Sequence, residues 1–307
     1  MKVFLTGATG YFGGTVAQKL IENKHEVVGL IREGGRATSE EMQDRGIMPV
    51  VGTLDDLVVL AAQAAQADVI INTANVDHRP SVDVFLKAIA DKSKIFIQTG
   101  GSAIVADCAG GGPNDKIYDE QSPISPLPLR VDRNQTKDDV LAAGQRGLRA
   151  MVVAPPMVYG GGLGVNAESI QIPLMIDVAK KYGAARYVGK GENRWSNVHI
   201  SDLADMYLLA IEKGVPGGYY YAENGEESML TICQTISRML GLGGKVESIS
   251  LGEAKQDYGE VPADYSFGSN SRVRGVRARA ELGWSPSRPS LLDEIENGYY
   301  ARLHGAG

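Results

Sequence analysis

The chain has 307 residues, 43% of them apolar and 22% charged, enough for one large α/β domain or a nucleotide-binding domain with a smaller second lobe. Its net charge of −6 argues against a nucleic-acid or anionic-membrane surface, because such surfaces need clustered Lys and Arg. The one basic cluster, from Arg272 to Arg279, alternates with small and apolar residues and reads as a solvated turn and helix face.

In chain order, strands and helices alternate through the first half. Residues 2–6 (KVFLT) form a short β-rich run, and 11–21 carry helical spacing. Strands follow at 26–31 and 48–51, then an alanine-rich helix at 54–66 and a fourth strand at 68–72. A helix at 81–90, opened by Pro80 and Ser81, leads to a fifth strand at 94–99. Residues 100–130 are glycine- and proline-rich and read as a surface loop flanking the site. A helix at 133–144 and a sixth strand at 149–154 complete the series. Strands separated by helices of about ten residues imply right-handed crossovers and a parallel sheet covered on both faces.

The rhythm then breaks. Strand-like and helical pieces mix at 195–200, 201–213, 218–222 and 229–240. The fold class is therefore α/β, a doubly wound parallel sheet with a smaller C-terminal substrate lobe. Residues 1–160 are assigned to the core with 195–222 returning to it, and residues 161–194 and 223–307 to the lobe.

Thr6 ends the first strand, and Gly7, Gly10 and Gly13 follow at intervals of three as the first helix opens. Glycine permits a tight turn, lets backbone N–H groups approach a pyrophosphate, and allows the helix to pack on the strand. The helix N-terminus adds the positive end of its dipole. Gly7, Thr9, Gly10, Tyr11, Phe12 and Gly13 are thus the expected phosphate loop of a Rossmann dinucleotide site. The second strand ends in Arg32, with Arg36 four residues on, where an acidic residue would bind the adenosine ribose 2′-OH. Arginine there favours a 2′-phosphate, so NADP(H) is expected over NAD(H).

Six ordered stretches resemble the extended and atypical short-chain dehydrogenase/reductases. They are TGATGYFGG at 6–14, VGTLDD at 51–56, TGGS at 99–102, PPMVYG at 155–160, VHISDLA at 198–204 and LGWSP at 282–286. The runs WSNVHI at 195–200 and SIQIP at 169–173 look like a fungal and bacterial subgroup described as epimerase-like. The resemblance implies further cofactor contacts at Thr53 and Leu54 on the adenine side, Thr73 and Ala74 after the fourth strand, and Pro155 after the sixth. Thr53 stands where the family usually has Asp, and Ala154 where it has Arg.

The family's chemistry uses a Tyr-x-x-x-Lys pair with a Ser or Thr from the end of the fifth strand. Lys137 matches the lysine, which would hold the nicotinamide ribose, but Arg133 occupies the tyrosine position. The two share a helix face. Arginine stays protonated and cannot donate that proton, yet it can clamp a carboxylate or an oxyanion. The serine position aligns with Gly101, leaving Ser102 one place off. Three groups are candidates for the missing proton donor: Tyr159 after the sixth strand, His78 after the fourth, and Tyr118 in the long loop. Each has a plain alternative, as a packing tyrosine, a solvent-facing histidine and a surface tyrosine. His199 is read as structural, joining a strand to a helix capped by Ser201.

Cys108 and Cys233 are too far apart in sequence to suggest a disulfide framework and point to a reducing compartment. No CxxC or HExxH pattern is present and the four histidines are scattered, so no metal is expected. No apolar run approaches eighteen residues and no leader precedes the first strand, so neither membrane span nor signal peptide is expected, and the location is read as cytoplasmic. The leading expectation is an NADP-dependent oxidoreductase, monomer or homodimer, acting on a small carbonyl, enone or alcohol with atypical proton delivery. A non-redox isomerase, lyase or cyclase with retained cofactor, and an NADP(H)-sensing regulator, are the alternatives.

Overall fold

The computed structural model describes residues 1–91 and 93–306. The first half builds β1 (Lys2–Thr6), α1 (Tyr11–Glu22), β2 (Glu26–Ile31), α2 (Ser39–Asp44), β3 (Ile47–Val51), α3 (Leu57–Gln66), β4 (Val69–Asn72), α4 (Arg79–Ala88), β5 (Ile95–Thr99), α5 (Val131–Gln145) and β6 (Arg149–Ala154). With β7 (Met157–Tyr159), α6 (Gln171–Tyr182), β8 (Ala185–Val188), β9 (Arg194–His199), α7 (Ile200–Lys213) and β10 (Tyr219–Tyr221), the chain leaves this layer and returns. The main sheet is parallel throughout, in the order β10-β6-β5-β4-β1-β2-β3.

Period-2 alternation decides which face each side chain serves. Val3 and Leu5 of β1 pack with α1 and α7, whereas Phe4 between them joins α3, α4 and α5 on the other face. The same split places Ile95 and Ile97 of β5 on one side and Phe96 on the other. The strand order reverses between β1 and β4, and in such sheets ligands bind in the crevice beyond the carboxyl ends at that point. A buried polar row stiffens this edge. Thr6 Oγ1 donates to Asn72 Oδ1 at 2.5 Å, Asn72 Nδ2 to Gln98 Oε1 at 2.9 Å, and Gln98 Nε2 to the Thr99 carbonyl at 2.9 Å. Paired along its length, the row avoids the cost of buried unsatisfied groups and fixes where the strands end.

The lobe is built on β11 (Glu226–Ser228), α8 (Met229–Met239), β12 (Val246–Ile249) and α9 (Leu251–Tyr258) together with β7, α6, β8 and β9. Strands β11, β9 and β7 form one small sheet, and β12 and β8 another. Residues 195–199, assigned from sequence to the core, thus pair within the small sheet; α7 and β10 are the parts that meet the main one.

Three local readings need correcting. Helix α2 was not anticipated, although Thr38 and Glu41 form a capping box, the Thr-x-x-Glu signature visible in sequence. Residues 100–130 are not simply a surface loop. Ser102, Ile104 and Val105 are buried, and Tyr118 exchanges backbone hydrogen bonds with Arg272 and Arg274. The basic cluster is not a solvated face either: Arg272 and Arg274 pair with Glu226, Arg279 with Glu223 and Arg277 with Glu281. Glu223 and Glu226 tie the cluster to β11 and the turn before it, while Glu281 pairs with Arg277 along their own helix.

Candidate functional site

The carboxyl edge of the main sheet opens onto two cavities. The first, about 560 Å³, is walled by Gly7, Thr9, Gly10, Leu30, Arg32, Arg36, residues 52–55, Thr73, Ala74, Asn75 and His78. Gly7 has φ +79°, in the left-handed region that favours glycine, and a Cβ there would lie 2.8–2.9 Å from Thr73 and Ala74. At Gly13 a Cβ would sit 2.2 Å from the Gly7 carbonyl oxygen and 2.4 Å from Thr73 Oγ1. Helix α1 therefore approaches the β1 and β4 ends as closely as backbone permits. No side chain caps α1 and no acid lies in its first turn, so its N-terminal N–H groups face the cavity mouth without a competing anion.

Arg32 and Arg36 are exposed at the other end and form no ion pair among the described residues. Thr53 is held by Asp56, whose Oδ2 accepts from its backbone N–H at 2.6 Å and from its hydroxyl at 2.9 Å. A glycine cradle and an uncapped helix end fit the pyrophosphate of a dinucleotide. Tyr11 does not line this cavity. Its hydroxyl donates to the Gly160 carbonyl at 2.7 Å, bracing α1 against the loop after β7, while Phe12 turns to the second cavity.

The second cavity, about 370 Å³, lies between the sheet edge and the lobe. Gly100, Gly101, Ser102, Pro155 and Pro156 form its floor, and Leu174, Trp195, Pro262, Tyr265 and Phe267 form apolar walls. Its charged lining residues are Arg130 and Arg133 alone. Arg133 Nε and an Nη donate to the two oxygens of Asp77 at 2.8 and 2.6 Å, a bidentate fork. That hydrogen bond, with the added guanidinium charge, holds the Asp77 carboxyl below its ordinary range despite partial burial. Arg133, expected to face a substrate anion, is thus engaged by the protein's own carboxylate.

Lys137 follows one turn later on α5. Its Nζ bonds Asp138 at 2.9 Å and lies 5.3 Å from the Tyr219 ring centre, bordering a narrow void beside Thr99, Gly100 and Arg133. Ser102 reaches the second cavity, but its hydroxyl lies 2.7 Å from Ser271 Oγ.

The three proton-donor candidates are placed elsewhere. Tyr159 is fully buried, donates to the Pro289 carbonyl at 2.9 Å and packs edge-on against His199; burial pushes its phenol pKa up. His78 belongs to the first cavity and caps α4, accepting from Ser81 N–H, with Nε2 3.1 Å from Asp55. Tyr118 is stitched to residues 272–274 away from both cavities. His199, not Ser201, caps α7. Sequence reasoning missed Arg130, Trp195 and Tyr265 as lining residues; Trp195 opens the WSNVHI run, but nothing in that run or near Arg130 and Tyr265 marks a cavity wall, and only the tertiary fold brings the three together. Among the described residues no cluster of His, Cys, Asp or Glu is placed to hold a metal, and no helix is long and apolar enough to cross a membrane.

A doubly wound parallel sheet with a glycine cradle at its switch point defines a dinucleotide-binding enzyme. Within that class the chain belongs to the NAD dependent epimerase/dehydratase family, whose sequence model matches residues 3–222. It is an NAD(P)-dependent enzyme of the oxidoreductase type. It is 31% identical to the oxidase ucsJ of an Acremonium species, covering 96% of this chain and 95% of that one. It is 25% identical to a 4-hydroxy-2-methyl-3-oxo-4-farnesyl-3,4-dihydroquinoline-1-oxide ketoreductase of Stigmatella aurantiaca, covering 93% and 92%. Among solved structures, a dTDP-glucose 4,6-dehydratase from Bacillus anthracis in complex with NAD superposes with a TM-score of 0.77 at 17% identity, covering 98% of this chain and 96% of that one. At that identity the likeness speaks for the fold alone.

Proposed function

We propose that this protein is an NADP(H)-dependent reductase of a small, largely apolar carbonyl or enone compound, with a proton donor other than the family's tyrosine. The observation that carries the cofactor choice is the pair Arg32 and Arg36, exposed in the first cavity without a carboxylate partner among the described residues. A 2′-phosphate would neutralise them, whereas the 2′-hydroxyl of NAD(H) would leave both unpaired. The relatives named as a ketoreductase and, in Stenotrophomonas maltophilia, as a 2-alkyl-3-oxoalkanoate reductase support carbonyl reduction.

Gly7, Gly10 and the α1 N-terminus would hold the pyrophosphate, and Thr73, Ala74 and Pro155 would flank the path toward the second cavity. NADPH held there would supply the hydride for reduction of the substrate carbonyl carbon. The apolar walls around Trp195 and Phe267 exclude water from that step, and the Asp77–Arg133 pair supplies a fixed dipole beside it. Tyr265 is the one phenol among the lining residues, and to it we assign donation of the proton to the substrate oxygen. Lys137, bordering the void next to Thr99, would support the ribose end of the cofactor.

Calorimetric titration with NADPH and NADH tests the central claim. NADPH is expected to bind at least tenfold more tightly, about 1.4 kcal/mol, and Arg32→Ala to remove most of that margin. Equal affinities in the native protein would overturn it.

A further inference from the structure

The second cavity holds a cation with no ion-pair partner among the described residues. Arg130, immediately before α5, lines it and makes no ion pair among the described residues. Its Nε is buried and lacks a hydrogen-bond partner. Its guanidinium lies 5.1 Å from the centre of the Tyr265 ring. One turn along, Arg133 takes both oxygens of Asp77, and no hydrogen bond or ion pair joins Asp77 to Arg130 among the described residues. No acidic residue lines the cavity. Burial first and the charge of Arg133 second hold the Arg130 pKa below the ordinary arginine value, and the charge of Asp77 offsets this only in part.

A buried guanidinium donor without an acceptor is costly in a folded protein and calls for an explanation. The surroundings narrow what would supply the acceptor. Leu174, Trp195, Pro262 and Phe267 offer apolar and flat aromatic surface with no complementary charge. Water alone would satisfy Nε without using that surface.

We propose that Arg130 is the substrate-anchoring residue of this cavity and that the ligand is a carboxylate on an apolar, ring-sized body. The carboxylate sits on the Arg130 guanidinium and the body lies against Trp195 and Phe267. This rests on the reading of the second cavity as the substrate site, and it narrows that reading from carbonyl compounds in general to carbonyl acids. Arg133 and Asp77 then act beside the anchor as a reserve: the fork of Arg133 reaches the ligand only when Asp77 lets go.

The test uses the NADPH-loaded full chain and two probes of equal shape, 2-naphthoate and the uncharged 2-naphthamide, titrated with the quenching of tryptophan fluorescence as readout. The native protein is expected to bind naphthoate at least tenfold more tightly than naphthamide. Arg130→Gln should erase the gap, and Arg130→Lys should restore part of it, because the charge returns without the planar fork. NADPH affinity, measured on the same samples, should stay within twofold in both variants, which also reports that they are folded. Asp77→Asn provides an independent arm: freeing Arg133 should strengthen naphthoate binding several-fold and leave naphthamide unchanged. Equal binding of the two probes by the native protein would overturn the proposal, as would an Arg130→Gln variant that keeps the gap. A native protein that prefers naphthoate through Arg130 yet fails to bind NADPH would leave the anion site standing and remove the cofactor reading instead.

Discussion

The two cavities at the carboxyl edge of the sheet are made in opposite ways. The first is local: Gly7 to Gly13, Arg32 to Arg36 and residues 52–55 follow successive strands, and each segment reaches the cavity from its own strand end. The second is assembled at long range, with Gly100 to Ala103 and Pro155 from the sheet edge meeting Trp195 and Tyr265 from the lobe. Backbone geometry dominates the first and side-chain chemistry the second. A cofactor shared across a family needs the same backbone cradle each time, whereas a substrate is selected by whatever side chains the lobe presents.

That contrast can be broken most severely at Gly13. A Cβ there would press on the Gly7 carbonyl, which is backbone and cannot swing away. Gly13→Ala is expected to weaken NADPH at least a hundredfold, roughly 2.7 kcal/mol, with circular dichroism confirming the fold. Calorimetry showing native affinity would mean that the glycine cradle is not where the cofactor binds. A comparable loss at a single side chain is expected in the other cavity. Tyr265→Phe keeps the ring against Arg130 and removes only the hydroxyl, so turnover of a reducible carbonyl acid should fall about a hundredfold while KM changes little. An unchanged kcat would assign the proton to another group.

Tyr159 sharpens the contrast from the other side, because the sequence offered it as a donor and the fold buries it. Tyr159→Phe leaves the Pro289 carbonyl without its donor, and thermal or urea unfolding should show a loss of about 1 kcal/mol. Turnover should not change; a large fall in kcat at native stability would return Tyr159 to the site.

The smallest effect concerns Asp77. Its folded pKa lies below the ordinary carboxylate value, so the Arg133 pair stabilises the protein above that ordinary value and the contribution disappears as pH falls through the depressed one. The Asp77 side chain is 46% exposed, and screening limits the pair to a few tenths of a kcal/mol. Native and Asp77→Asn proteins should therefore differ slightly in stability at pH 7 and converge in strong acid. A stability gap that persists in strong acid would show that Asp77 acts through packing and not through charge.

What the sequence alone determined follows from local constraints. The six core strands and the glycine loop were legible because strand alternation, helix spacing and glycine turns are encoded within a few residues, and the structure reproduces 2–6, 26–31 and 149–154 to the residue. Arg32 and Arg36 were legible for the same reason, since a strand end fixes where the next side chains point. Helix α2 is equally local, since its Thr38–Glu41 capping box lies within four residues. The rest was decided by tertiary structure. Nothing near Arg133 in sequence announces Asp77, 56 residues away, and nothing near Ser102 announces Ser271. Whether Tyr159 faces a ligand or the Pro289 carbonyl depends on how the lobe packs on the sheet. Arg130 shows the same limit most clearly: in the sequence it is a charged residue in a loop, and only burial of its Nε against Tyr265 turns that charge into a demand for a partner.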